Sequence, residues 1–139
     1  FSGPNRSAAV RVPAYANSPK KMRFEYRVPD GTCNPYLAMA SMIMAAIDGI
    51  KKEMEPEKMG FGPIDENVFA AGYDTSGLHC LPESLDQALD SLEEDREFLQ
   101  EDDVFTPDLI DAFLKAKRKE TALFRGNPHP LEHSLYFSL

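Results

Sequence analysis

Two short stretches near the start of the chain alternate apolar and polar residues. Ala8, Val10 and Val12 alternate with Ala9 and Arg11. This period of two predicts a short strand, and Pro13 ends it because proline has no N–H for a ladder. Residues 14–20 (AYANSPK) have the composition of a loop. In the second stretch Met22, Phe24, Tyr26 and Val28 fall on one face, and Arg23, Glu25 and Arg27 on the other. Pro29-Asp30-Gly31 predicts a turn, since proline presets φ and glycine accepts positive φ.

The spacing then changes to that of helices. Asn34 and Pro35 are suited to a helix cap and first position. Ile43, Ile47, Ile50 and Met54 recur at helical intervals, and Leu37, Met39, Met42 and Met44 fill the other sides. A helix apolar nearly all round predicts a buried core helix. Residues 55–82 carry scattered Gly and Pro with little periodicity and predict a long loop. Leu85, Ala88, Leu89 and Leu92 predict an amphipathic helix capped by Ser84. Asp95 is placed to cap a short turn through Phe98 and Leu99. Thr106-Pro107-Asp108 predicts another helix start, with Leu109, Ile110, Phe113 and Leu114 as the buried face. Lys115, Lys117, Arg118 and Lys119 read as a solvated face that complements the helix dipole. Pro130 to Leu139 predicts a last helical segment with an apolar end. The class is α+β: two N-terminal strands of an incomplete antiparallel sheet, followed mainly by helices. Two such strands do not make an independently stable sheet, so their partners are expected upstream. A first residue of Phe rather than Met fits a processed chain or a piece of a longer protein.

Length and composition narrow the functions. The chain has 139 residues, 42% of them hydrophobic, which suffices for a packed core in one domain or part of one. The most apolar stretch, Leu37 to Ile50, contains Asp48 and is shorter than the roughly 18 residues a membrane-spanning helix needs. Cys33 and Cys80 are too few for a disulfide scaffold and suit a reducing cytosol. Lys and Arg number 15 against 23 Asp and Glu, a net charge of −8 that argues against nucleic acid or anionic membrane as partner. That average conceals an asymmetry. Residues 1–27 hold six basic groups (Arg6, Arg11, Lys20, Lys21, Arg23, Arg27) and one acid, Glu25, for a net +5. Such a segment reads as a site for small anions, or as a basic arm neutralised by the acidic helices.

Three constellations can carry chemistry. The Arg23-Glu25-Arg27 face reads as a solvated charge ladder, or as the lining of a cleft where the carboxylate holds a hard cation and the arginines grip phosphate or carboxylate. His129-Pro130-Leu131-Glu132-His133 formally matches H-x-x-E-H, an inverted zinc-protease motif. Pro130 speaks against that match, because the residue before proline is driven out of helical geometry. Cys80 beside His79 makes no dyad, since adjacent side chains diverge.

Four blocks carry a family resemblance: Asn5-Arg6-Ser7-Ala8-Ala9-Val10-Arg11-Val12-Pro13, Ser18-Pro19-Lys20, Glu25-Tyr26-Arg27-Val28-Pro29-Asp30 and Asn34-Pro35-Tyr36-Leu37-Ala38. Their order and spacing resemble the C-terminal catalytic region of bacterial type I glutamine synthetase. The likeness continues through Asp48-Gly49-Ile50, Ser84-Leu85, Asp95-Arg96-Glu97-Phe98-Leu99 and His129-Pro130-Leu131-Glu132, and covers essentially the whole chain. It implies that residues 1–139 are a C-terminal fragment of the catalytic, ATP-binding domain. The N-terminal domain and most metal ligands would then lie upstream.

The resemblance implies a ligase that makes L-glutamine from L-glutamate, ammonia and ATP through a γ-glutamyl phosphate, with Mg²⁺ or Mn²⁺. Glu25 sits where the family has a metal-ligating glutamate, and Arg27 where an arginine holds the substrate glutamate. Arg6 matches an arginine that contacts ATP phosphate and substrate. Arg11 and Lys20 match nucleotide-binding residues. The family assembles as a dodecamer of two stacked hexameric rings, and Leu135-Tyr136-Phe137 is similar to the segment that packs into the opposite ring. The fragment alone is expected to be inactive. There are departures: Pro4 and Met22 stand where the family usually has arginines, and one residue is inserted between Pro13 and Ser18. Some bacterial members are adenylylated on a loop tyrosine in an Asp-x-Asn-Leu-Tyr context. Asp65-Glu66-Asn67-Val68-Phe69 places Phe there, and Tyr73 falls outside the motif, so this regulation is expected to be absent. A related γ-glutamyl-amine ligase and a non-catalytic paralogue acting as an oligomerisation module are the rival readings.

Overall fold

The computed structural model describes residues 1–16 and 18–137. They fall into two compact units, Phe1–Cys80 and Leu81–Leu139.

In the first unit β1 (Val10–Arg11) pairs antiparallel with β2 (Glu25–Tyr26), with Val10 opposite Tyr26 and Arg11 opposite Glu25. The Arg27 N–H donates to the Ala9 carbonyl at 2.8 Å and prolongs the pairing. On the other edge Ser2 forms a parallel bridge with Arg11: its N–H donates to Val10 O, and its carbonyl accepts from the Val12 N–H. The strands lie where the alternation predicts but are shorter. The expected apolar face of β2 is not buried, since Met22 and Phe24 are largely exposed. A strand face gains burial only from a second layer, and the described part of this unit lays none over it.

The turn after β2 forms as expected. The Asp30 carboxylate accepts from the Thr32 hydroxyl and the Thr32 N–H, both at 2.7 Å. These bonds favour the charged form and hold the carboxyl below its usual range.

α1 (Pro35–Lys51) begins as predicted, with the Asn34 side chain accepting from Tyr36 N at 3.0 Å and Leu37 N at 3.4 Å. Its environment corrects the sequence expectation of a core helix. Met44 is its one buried residue, and Tyr36, Ile43 and Ile50 are exposed. An all-round apolar helix needs partners on several sides, and the described elements of this unit are a two-strand ribbon and loops. Met54 also falls outside the helix, because Lys52 caps it and Glu53 turns the chain at φ 50°.

Residues 55–82 form no helix or strand, as the lack of periodicity predicts. Gly62 is required there: at φ 125° a Cβ would stand 2.6 Å from the Phe1 carbonyl oxygen.

The second unit is helical: α2 (Leu85–Glu94), α3 (Glu97–Gln100), a 3-10 turn (Glu101–Asp103), α4 (Pro107–Arg125) and α5 (Pro130–Tyr136). Its core is Leu89, Leu99, Phe105, Ile110 and Leu114, with Thr121 buried beside them. Ser84 caps α2 as expected, accepting from Gln87 N at 3.2 Å. Three expectations are corrected. Asp95 does not open α3; its N–H bonds to Ser91 O and closes α2. Thr106 stands at the N-cap position but its side chain makes no cap hydrogen bond; a bond from its hydroxyl, with the amides of Asp108 and Leu109, lowers the Asp108 carboxyl. Leu109 and Phe113 are partly exposed, so the buried stripe of α4 is Ile110, Leu114 and Thr121.

On the face read as solvated, Arg118 stays partly exposed but is paired. Its guanidinium reaches Asp90 at 2.6 Å and Glu93 at 2.7 Å on α2. Arg125 pairs with Asp86, and Arg96 with Asp111. These pairs tie α4 to α2 and to the α2–α3 link.

α5 disposes of the H-x-x-E-H match. His129 is extended (φ −76°, ψ 144°) and caps the helix, its Nδ1 accepting from Leu131 N at 3.1 Å. Glu132 Oε1 accepts from His129 N in return at 3.1 Å, completing a capping box. Of the predicted apolar end, Ser138 and Leu139 lie outside the described residues.

Candidate active site

Arg11, Arg23, Glu25 and Arg27 lie on or beside the ribbon. The antiparallel register sets Arg11 opposite Glu25, and the Arg11 guanidinium reaches the Glu25 carboxylate at 3.2 Å. Both side chains are half-buried. The other Glu25 oxygen accepts from the Tyr15 hydroxyl at 3.3 Å. Arg23 stacks its guanidinium over the Tyr15 ring, 4.6 Å from the centroid. Arg27 donates from Nη1 to the Arg6 carbonyl. Arg6, Arg11, Glu25 and Arg27 are thus joined by pairing and side-chain contacts within one small patch. Lys20 stands apart, in the exposed turn closed by Lys21 N to Ser18 O at 2.9 Å.

A second layer supports this patch. The Ser2 hydroxyl, fully buried, donates to Asp65 Oδ1 at 2.6 Å, and Gly3 N reaches the same oxygen at 3.2 Å. The Asn5 amide donates to the carbonyls of Ile64 at 3.1 Å and Glu66 at 2.7 Å. Its oxygen accepts from the Ser7 amide and hydroxyl. Sequence reasoning missed Tyr15 and Asp65 as parts of the site. Tyr15 lies in a stretch read only as loop, and Asp65 is 63 positions from Ser2.

Chemically the patch is a cationic surface with one carboxylate. Each guanidinium carries five donors in a planar fork suited to phosphate or carboxylate oxygens.

A family model described as "Glutamine synthetase, catalytic domain" matches residues 1–136. The chain belongs to the glutamine synthetase catalytic-domain family. It is 44% identical over 140 residues to a glutamine synthetase of Aquifex aeolicus (strain VF5), covering all of this chain and 29% of that protein. A glutamine synthetase of Frankia alni is 45% identical over 141 residues, with the same coverage. One from Haemophilus influenzae is 40% identical over 139 residues, covering 99% of this chain and 28% of its own length. The chain spans less than a third of the curated relatives it matches. The two-strand ribbon and predominantly helical remainder agree with an α+β catalytic-domain segment of this family. Among the described residues no helix is long and apolar enough to cross a membrane.

Proposed function

We propose that this chain is the C-terminal part of the catalytic domain of a ligase joining ammonia to L-glutamate. ATP first phosphorylates the side-chain carboxylate, and ammonia then displaces phosphate from the γ-glutamyl phosphate. The observation that carries this reading is the pairing of Arg11 with Glu25 on the ribbon, with Arg27 bonded to the Arg6 backbone beside it, in a glutamine synthetase family member.

Arg27 is assigned to the substrate glutamate, and Arg6 to ATP phosphate and substrate. Arg11 and Lys20 are assigned to the nucleotide. Phosphoryl transfer places negative charge on the moving group, and fixed guanidinium groups stabilise it without reorganising at the moment of reaction. Arg27 already has one donor on the Arg6 carbonyl, which orients its fork.

These residues do not by themselves fit a divalent cation. Glu25 is a single carboxylate facing Arg11 and Tyr15, and among the described residues no group of three or more His, Cys, Asp or Glu could hold a metal ion. Mg²⁺ or Mn²⁺ is therefore assigned to the full-length parent, where Glu25 supplies one ligand among several. The parent is proposed to be a cytoplasmic dodecamer of two hexameric rings, and the free, exposed Cys33 and Cys80 suit a reducing compartment.

The test is an amine panel on the full-length protein with ATP, glutamate and Mg²⁺ or Mn²⁺. Glutamine formation faster than any other amide supports the reading. Preference for an organic amine, or no ATP-dependent product, overturns it. The isolated 139-residue chain is expected to form no glutamine.

A further inference from the structure

The backbone around Arg6 is fixed from three sides. Before it, Ser2 and Gly3 are bound to Asp65, and Ser2 Oγ also accepts from Asn5 N at 3.0 Å. Beside it, the Asn5 amide spans the Ile64 and Glu66 carbonyls while its oxygen holds Ser7. Behind it, the Arg6 carbonyl accepts from Arg27. The Arg6 side chain itself is exposed. With no side-chain partner for its guanidinium among the described residues, Arg6 is aimed chiefly through the backbone it grows from, and residues 64–66 supply much of that hold.

We infer that Asn5 and Asp65 are positioning residues for Arg6, so that the 64–66 loop sets where the Arg6 guanidinium meets the phosphate. This inference rests on the assignment of Arg6 under Proposed function. Neither residue touches substrate: the Asn5 side chain is consumed by main-chain and Ser7 partners, and Asp65 acts through Ser2 and Gly3. The mechanism is geometric. A shift of about 1 Å in a cation that stabilises transferring phosphoryl can lower a rate by roughly a hundredfold, and loosening one of three anchors gives a smaller shift.

A double-mutant cycle in the full-length protein tests it. Asp65→Ala is expected to lower kcat by about tenfold, with a smaller change in KM for ATP, because the loss falls on the transition state. In an Arg6→Ala background the same substitution is expected to change kcat by less than about twofold, because coupled residues are not additive. Asn5→Ala repeats the cycle from the other side of the clamp, and each rate is scored per folded, assembled protein. An equal loss in both backgrounds, or no loss in the Arg6 background's parent, overturns the positioning role while leaving Arg6 in place. Full activity of Arg6→Ala overturns the assignment of Arg6 and the inference with it.

Discussion

The Arg11 guanidinium and the Glu25 carboxylate face each other 3.2 Å apart across the β1–β2 pair. The register alone brings them together, and each is assigned to a different ligand of the same reaction. On the assignments proposed above, nucleotide and cation binding would exchange this contact for others.

Because both side chains are half-buried, their pairing is worth about 0.2–1 kcal/mol. Glu25→Gln is therefore expected to change unfolding free energy by less than about 1 kcal/mol. The same substitution is expected to lower glutamine formation in the full-length protein by more than about a hundredfold, since it would remove the anionic metal ligand proposed above. Urea unfolding and activity measured on one preparation separate the two effects. Near-normal activity would remove Glu25 from the site.

The helical unit carries a pH dependence of definite sign. The Arg125 guanidinium holds the Asp86 carboxyl below its ordinary 3.8, against the burial that would raise it. A depressed carboxyl stabilises the fold above its unfolded pKa, and the contribution is lost as pH falls through the folded value. Thermal unfolding midpoints of the native protein and Asp86→Asn should differ at pH 7 and converge below pH 3.8. A constant difference down to pH 2.5 would show that the pair has no such linkage.

Leu89 is 2% exposed and packs within the α2–α4 core. Leu89→Ala should cost roughly 2–5 kcal/mol, through lost burial and the cavity left behind. Leu109→Ala, at a position 41% exposed, should cost well under half of that. Chemical unfolding followed by circular dichroism ranks the two, and an equal cost would mean that the core lies elsewhere.

Phe69 is 83% exposed, in a turn where Asn67 Oδ1 accepts its N–H at 3.1 Å. On the resemblance described above, its ring stands where an adenylylated tyrosine would be expected. Incubation with a bacterial adenylyltransferase and labelled ATP should leave the full-length protein unlabelled, and Phe69→Tyr should supply the missing acceptor. Label on the unaltered protein, at Tyr73 for example, would refute this.

What could be read from the chain was what local chemistry determines. Asn34 and Ser84 announce α1 and α2, and alternation around Val10 and Glu25 finds both strands. Pro130 correctly forbade a helical His129. Illegible features depend on contacts distant in sequence. Nothing near Asp65 signals Ser2, and nothing near Arg118 signals Asp90 and Glu93. The exposure of α1 could not be read either, because apolar composition reports what a helix can bury rather than what lies beside it. Thr106 marks the start of α4, but its residue type does not reveal that its side chain makes no cap hydrogen bond.

The bonds from Ser2 and Asn5 to residues 64–66 close a loop of some sixty residues. Such contacts join segments far apart in sequence and are expected to form after local ones. α1, built on neighbours in sequence, can form as the chain emerges, whereas the surroundings of Arg6 must wait for the loop to return. On this folding order Arg6 is expected to be one of the last parts of its unit to find its place.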